Sequence, residues 1–115
     1  MIVKINASLF EWVVENLCKN AVDAMDGQGT ITLSAETNDD EVSVLVRDTG
    51  RGMDAATRRQ VFQAGFTTKK RGWGLGLTLA TRIIEDYHGG SLLLRHSRPG
   101  QGTTFAVVLK QTKHR

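Results

Sequence analysis

The order in which hydrophobic periods succeed one another is what most constrains this chain. Leu9 to Met25 has a helical period. Phe10, Val13, Val14, Leu17, Ala21 and Ala24 fall in one sector of the wheel, with Glu11, Glu15, Lys19 and Asp26 opposite. Asn6 or Ser8 supplies the N-cap, and Asp26-Gly27-Gln28-Gly29 stops the helix. Two alternating runs follow, with Ile31, Leu33 and Ala35 on one face of the first and Val42, Val44 and Val46 on one face of the second. Asn38-Asp39-Asp40 joins them as a hairpin turn. Asp54 caps a short helix reaching Phe62 or Gln63. A further helix runs from about Gly76 to Tyr87, with Leu79, Ala80, Ile83, Ile84 and Tyr87 as its core residues, and His88-Gly89-Gly90 ends it. Ser91 to His96 and Thr103 to Leu109 make a second hairpin. Helices and strand pairs thus alternate as α-ββ-α-ββ, with Met1 to Ile5 as a short edge strand. The pattern predicts an α+β fold, a two-layer α/β sandwich whose mostly antiparallel sheet is covered on one face by helices. It argues against a doubly wound parallel sheet.

Composition excludes several classes. With 115 residues the chain fits one domain, residues 1–115. Its 40% hydrophobic and 23% charged residues are those of a soluble globular protein. The one cysteine, Cys18, rules out an internal disulfide framework. No apolar run approaches a membrane span, and no signal peptide opens the chain, so the expected site of action is cytoplasmic, without membrane contact by this domain. The net charge of +3 gathers in Lys69-Lys70-Arg71 and the tail Lys110 to Arg115. No basic stripe with interleaved aromatics is present, so nucleic acid is not an expected partner.

Four constellations carry chemistry. In Phe66-Thr67-Thr68-Lys69-Lys70-Arg71-Gly72-Trp73-Gly74-Leu75-Gly76-Leu77, glycines and cations directly precede an apolar helix. Free backbone N–H groups, the helix dipole and mobile positive charge suit a polyphosphate. The same run also reads as a flexible exposed loop, and its spacing matches no P-loop. Asn16, Asn20 and Asp23 share one helical stripe, and Asn20 falls inside the apolar sector. An amide there is either a core group satisfied by backbone or an oxygen ligand for a hard cation such as Mg²⁺. Asp48 continues the inward alternation of Val42, Val44 and Val46 and precedes Thr49-Gly50-Arg51-Gly52. It either closes an Asx turn or accepts a bond from the exocyclic amine of a purine. Gly100-Gln101-Gly102-Thr103 is a hairpin loop whose Thr103 hydroxyl is also placed to meet a ligand.

Taken in order, these motifs resemble the GHKL (Bergerat-fold) ATP-binding group, and within it the catalytic domain of sensor histidine kinases. Glu15-Asn16-Leu17-Cys18-Lys19-Asn20-Ala21-Val22-Asp23-Ala24 is similar to the N box, and Asp48-Thr49-Gly50-Arg51-Gly52-Met53 to the first glycine box. Val61 to Lys69 is similar to the F box, Gly72 to Leu77 to the second glycine box, and Gly102-Thr103-Thr104-Phe105 to the last. The resemblance implies a mixed, about five-stranded sheet under three helices, with ATP and Mg²⁺ as cofactors. By it, Asn20 binds Mg²⁺ with Asn16 assisting, and both count as catalytic. Asp48 meets the adenine amine, Gly52 allows close approach of the base, Gly50 and Met53 belong to the nucleotide-binding set, and Thr103 reaches the adenine through water. Asp23 belongs to the same set, although many relatives carry a basic residue there. Lys69, Lys70 and the backbone near Gly74, Leu75, Gly76 and Leu77 hold phosphates, the segment between Met53 and Gly74 is the ATP lid, and Phe66, Thr67, Thr68 and Gly72 also belong to the nucleotide-binding set.

Hydrolysing members of the group commonly carry a glutamate base at the position of Asn16, and an amide takes no proton at neutral pH. Slow or absent hydrolysis is therefore expected, with the phosphate going to a histidine elsewhere. His88 reads as a helix-end cap, and neither His96 nor His114 has the sequence context of a phosphoacceptor. The implied partners are a phosphoacceptor (dimerisation) domain and then a response regulator. This chain looks like the catalytic part of a longer sensor kinase, the phosphoacceptor and sensor domains lying elsewhere. The alternatives are a stand-alone Ser/Thr kinase of the same group and a nucleotide-sensing module.

Overall fold

The computed structural model describes residues 5–61 and 76–111. Helix α1 spans Ala7–Ala24. Asn6 is its N-cap: the side-chain oxygen accepts from the Leu9 N–H at 3.1 Å, satisfying one of the orphan donors of the first turn. After Ala24 the chain turns through Asp26 (φ 53°) and Gly27 (φ 80°), the left-handed stop that the glycines announce. Strands β1 (Ile31–Thr37) and β2 (Glu41–Asp48) follow as an antiparallel hairpin, with Ile31 opposite Asp48 and Thr37 opposite Val42. Asn38 builds the turn, its side-chain oxygen accepting from the Asp40 and Glu41 N–H groups. Helix α2 (Ala55–Gln60) starts at Asp54, whose carboxylate accepts from Thr57 N–H at 2.8 Å. Helix α3 (Gly76–Arg82) runs into a π-helical turn over Ile83–Tyr87. Strands β3 (Ser91–Ser97) and β4 (Thr103–Lys110) complete the fold.

The strand order is β1-β2-β4-β3, and all three pairings are antiparallel. The two-layer reading therefore holds, with four strands rather than five among the described residues. Residues 1–4, which carry most of the expected first strand, lie outside them. Strand β4 lies between β2 and β3, which leaves β3 at an edge.

The helices cover one sheet face. Val13 and Leu17 of α1, Leu77 and Ala80 of α3 and Ile84 of the π turn meet Val46, Leu92, Phe105, Val107 and Leu109 in one buried cluster. The sheet side of that cluster is the alternating set from β2, β3 and β4, as period-2 patterning requires. Two expectations about the core need correction. Leu79 is 43% and Tyr87 70% exposed. The buried stripe is Leu77, Ala80 and Ile84, and the wider π turn rotates Tyr87 off it. Leu33 is also exposed, because β1 is an edge strand whose inward face is covered only near Ile31.

His88 ties the two helical elements together. Its Nδ1 lies 3.1 Å from the Ile83 carbonyl, and its Nε2 accepts the Asn6 N–H at 3.0 Å. Satisfying both fixes the tautomer with the proton on Nδ1. The ring also meets Phe10 edge-on at 5.9 Å. The capping role expected of His88 is what the structure shows, extended to the entrance of α1.

Candidate functional site: a junction built on Asp48

Asp48 ends β2 with its side chain on the helix-covered face, and it is 5% exposed. A carboxylate so placed requires donors. Its Oδ1 accepts from Gly50 N–H at 2.8 Å and from Thr103 N–H at 3.2 Å. The first bond is the Asx turn expected from Asp-Thr-Gly. The second joins residues 55 apart in sequence and exists because β4 lies beside β2. Thr103 is buried too, and its hydroxyl lies 2.8 Å from that of Ser97. Ser97 was not among the residues expected at the site. Only the register of the β3–β4 hairpin brings it there, and nothing in its local sequence signals it.

The glycines around Asp48 are required by close backbone approach. Gly102 has φ 76°, and a Cβ on it would strike the Asp48 carbonyl. Gly52 has φ 68°, and a Cβ there would strike the Arg98 carbonyl. At Gly50 an added Cβ would lie 2.5 Å from the Ala24 carbonyl oxygen. These contacts lock three segments together: the end of α1, the loop after β2 and the β3–β4 turn. Backbone bonds reinforce the junction, from Arg51 N–H to Ala24 at 3.0 Å and from Gly100 N–H to Arg51 at 2.8 Å. The Arg51 guanidinium reaches the Asp23 carbonyl at 3.3 Å and lies 3.8 Å from the Asp26 carboxylate.

The structure thus brings together Asp48, Gly50, Gly52 and Thr103, and ties them to the C-terminal end of α1. Met53 is half-buried and packs against the core beside them. Asn20 lies one turn and Asn16 two turns before Ala24, so they stand roughly 6 and 12 Å back along the axis at 1.5 Å per residue. Both are half-buried, and Asp23 is exposed. Asn16 donates its amide to the Trp12 carbonyl at 3.2 Å. Glu15 is exposed, on the polar side of the helix. Leu77 is buried in the core under α3, and Gly76 opens that helix. Phe66, Thr67, Thr68, Lys69, Lys70, Gly72, Gly74 and Leu75 lie outside the described residues.

Among the described residues no group of three or more His, Cys, Asp or Glu side chains could hold a metal. A Mg²⁺ ion at this site would instead rest on amide oxygens. That fits an ion that takes one or two protein oxygens and completes its shell with water and phosphate.

The chain matches the family described as histidine kinase-, DNA gyrase B-, and HSP90-like ATPase over residues 6–113. It is 41% identical over 98 residues to the sensor histidine kinase ZraS of Salmonella typhi, covering 84% of this chain and 21% of that protein. It is 33% identical over 108 residues to the signal transduction histidine-protein kinase AtoS of Escherichia coli K12, covering 93% of this chain and 17% of that one. The chain therefore spans about a fifth of the length of these relatives. Among solved structures, the catalytic domain of the histidine kinase ThkA superposes with a TM-score of 0.81 at 30% identity, covering 95% of this chain and 70% of that one. Full-length ShkA in complex with AMPPNP superposes with a TM-score of 0.75 at 28% identity, covering 93% of this chain and 22% of that one. The fold, the ordered motifs and these likenesses agree: the chain belongs to the histidine kinase-, DNA gyrase B- and HSP90-like ATPase family, as an ATP-binding catalytic domain of the sensor histidine kinase type.

Proposed function

We propose that this chain binds ATP at the Asp48 end of its sandwich and presents the γ-phosphate to a histidine on a separate phosphoacceptor domain, from which a response regulator is charged. The observation that carries the reading is the state of Asp48. Both of its hydrogen bonds end on Oδ1, so the lone pairs of Oδ2 are left for an outside donor. The exocyclic amine of adenine is such a donor, and the keto group of guanine is not. Gly50, Gly52 and Met53 would line one side of the base, and the Thr103 hydroxyl would meet it through water. The AMPPNP bound by ShkA, which shares this fold, supports a nucleotide here.

From the base, the triphosphate would extend toward Asn16, Asn20 and Asp23 on α1. Lys69, Lys70, Thr67, Thr68 and Phe66, with the backbone from Gly72 through Gly74 and Leu75 to Leu77, would close over it. Asn20, assisted by Asn16, would hold Mg²⁺, which when bound spreads the charge of the transferring phosphoryl group. The amide of Asn16 cannot accept a proton from water, so hydrolysis by this chain alone is slow and the nucleophile comes from its partner. Among the described residues no helix is long and apolar enough to cross a membrane. We place this activity on the cytoplasmic side of whatever longer protein carries it.

The test is to mix the chain with labelled ATP, Mg²⁺ and its cognate phosphoacceptor domain. An acid-labile, base-stable phosphate on that domain is expected. Acid-stable phosphate on the acceptor, or no transfer despite proven nucleotide binding, would overturn the reading.

A further inference from the structure

The helices cover one face of the sheet, and the opposite face carries a feature that nucleotide binding does not use. Leu45, Ala106 and Leu93 lie side by side across β2, β4 and β3 on that face, since Ala106 pairs with both neighbours. Ala106 is only 2% exposed while Leu93 is 50% exposed. Leu93 and Ala106 of this row line a groove of about 1210 Å³. That volume exceeds the ~300–1,000 Å³ of ordinary small-molecule pockets and suits a peptide segment.

The walls carry unequal charge. A β-bulge between Leu94 and His96 lets the Arg95 side chain reach Glu36 on the far edge strand at 2.8 Å, so this cation is already neutralised. Arg58, Arg59 and Arg98 line the same groove. The Arg58 guanidinium donates to the Ser97 carbonyl, a neutral acceptor. The carboxylate beside Arg58 and Arg59 is Asp54, which is committed to capping α2. Among the described lining residues four guanidiniums, Arg58, Arg59, Arg95 and Arg98, face the carboxylates of Glu36 and Glu41, so the groove carries an excess of positive charge.

We propose that this groove docks an acidic segment of a protein partner, with an apolar side chain seated on Leu93 and Ala106 and carboxylates against Arg58, Arg59 and Arg98. Guanidiniums pair with carboxylates through parallel N–H donors, which gives direction as well as attraction. An apolar anchor ringed by charge is how such surfaces gain both affinity and specificity. Leu93 and Ala106 lie on the opposite sheet face from Asp48, while Ser97 and Arg98 at the cationic end adjoin it.

The probe is a fluorescein-labelled peptide, acetyl-Glu-Asp-Leu-Phe-Asp-Glu-amide, titrated into the whole chain at low salt and followed by anisotropy and by amide chemical shifts. Saturable binding is expected, with shifts centred on Leu93, Ala106 and Val108. Arg59→Glu and, separately, Leu93→Asp should each weaken binding at least about tenfold while leaving AMPPNP affinity unchanged. Three results would overturn the proposal: no saturable binding, binding that neither substitution weakens, or equal binding of a DNA oligonucleotide of the same charge. The last would mark the groove as a polyanion or nucleic-acid surface instead.

Discussion

Asp48 holds the site together at the scale of single residues, and Gly102 holds Asp48. The two backbones meet so closely that a methyl group on Gly102 has no space, and its φ of 76° penalises any L side chain as well. Gly102→Ala should destabilise the chain by ~1–3 kcal/mol in urea unfolding and lower nucleotide affinity in parallel, because moving the β3–β4 turn moves Thr103 N–H away from Oδ1. A change in stability with unaltered affinity would separate the turn from the site. The glycines were legible as loop-formers, but their reason was not. At Gly52 an added Cβ would meet the carbonyl of Arg98, a residue far away in sequence that no local pattern could name. Asp54 gives a pH prediction. Hydrogen bonds from Thr57, with help from Arg58 and Arg59, hold its carboxyl below the usual carboxylate range. A depressed folded value means that its contribution is complete above the unfolded value near 4 and fades as pH falls through the folded one. The amides of α2 should therefore lose hydrogen-exchange protection on acidification, and Asp54→Asn should flatten that dependence.

At the scale of elements, local periodicity located every described helix and strand to within a few residues. The inward alternation Val42, Val44, Val46 led correctly to a buried Asp48, and Asn6 and Asp54 were visible as caps. The failures have physical causes. A π turn costs one residue of helical phase without any residue type that marks it, so Tyr87 was expected in the core and lies outside. Strand order is set by long-range closure, so neither the bond from Thr103 to Asp48 nor the presence of Ser97 beside it could be foreseen. His88 shows how the elements are coupled, since one ring serves the Ile83 carbonyl and the Asn6 N–H. His88→Phe keeps the ring against Phe10 and deletes both bonds. It should cost about 1–3 kcal/mol in denaturant unfolding, most of it from leaving those backbone groups without partners. A loss no larger than a few tenths would mean that water replaces the ring nitrogens.

For the molecule as a whole, one sheet face carries the core and Asp48, and the other carries Leu93 and Ala106 of the groove. The expected phosphate-binding residues from Phe66 to Leu75 lie outside the described residues, so the metal role is tested from α1. Asn20→Ala should leave the unfolding transition nearly unchanged and remove the Mg²⁺ dependence of AMPPNP binding. Unaltered Mg²⁺ dependence would assign the ion elsewhere.

The central claim is that the free edge of the Asp48 carboxylate reads adenine. The most direct measurement is calorimetric titration of the parent chain and of Asp48→Asn with AMPPNP and with the corresponding guanine nucleotide, in Mg²⁺. The account predicts that the parent chain strongly prefers the adenine compound and that the substitution costs that preference ~1.5–3 kcal/mol, about ten- to a hundredfold in Kd. Equal affinity of the parent chain for both nucleotides, or a preference untouched by Asp48→Asn, would contradict it.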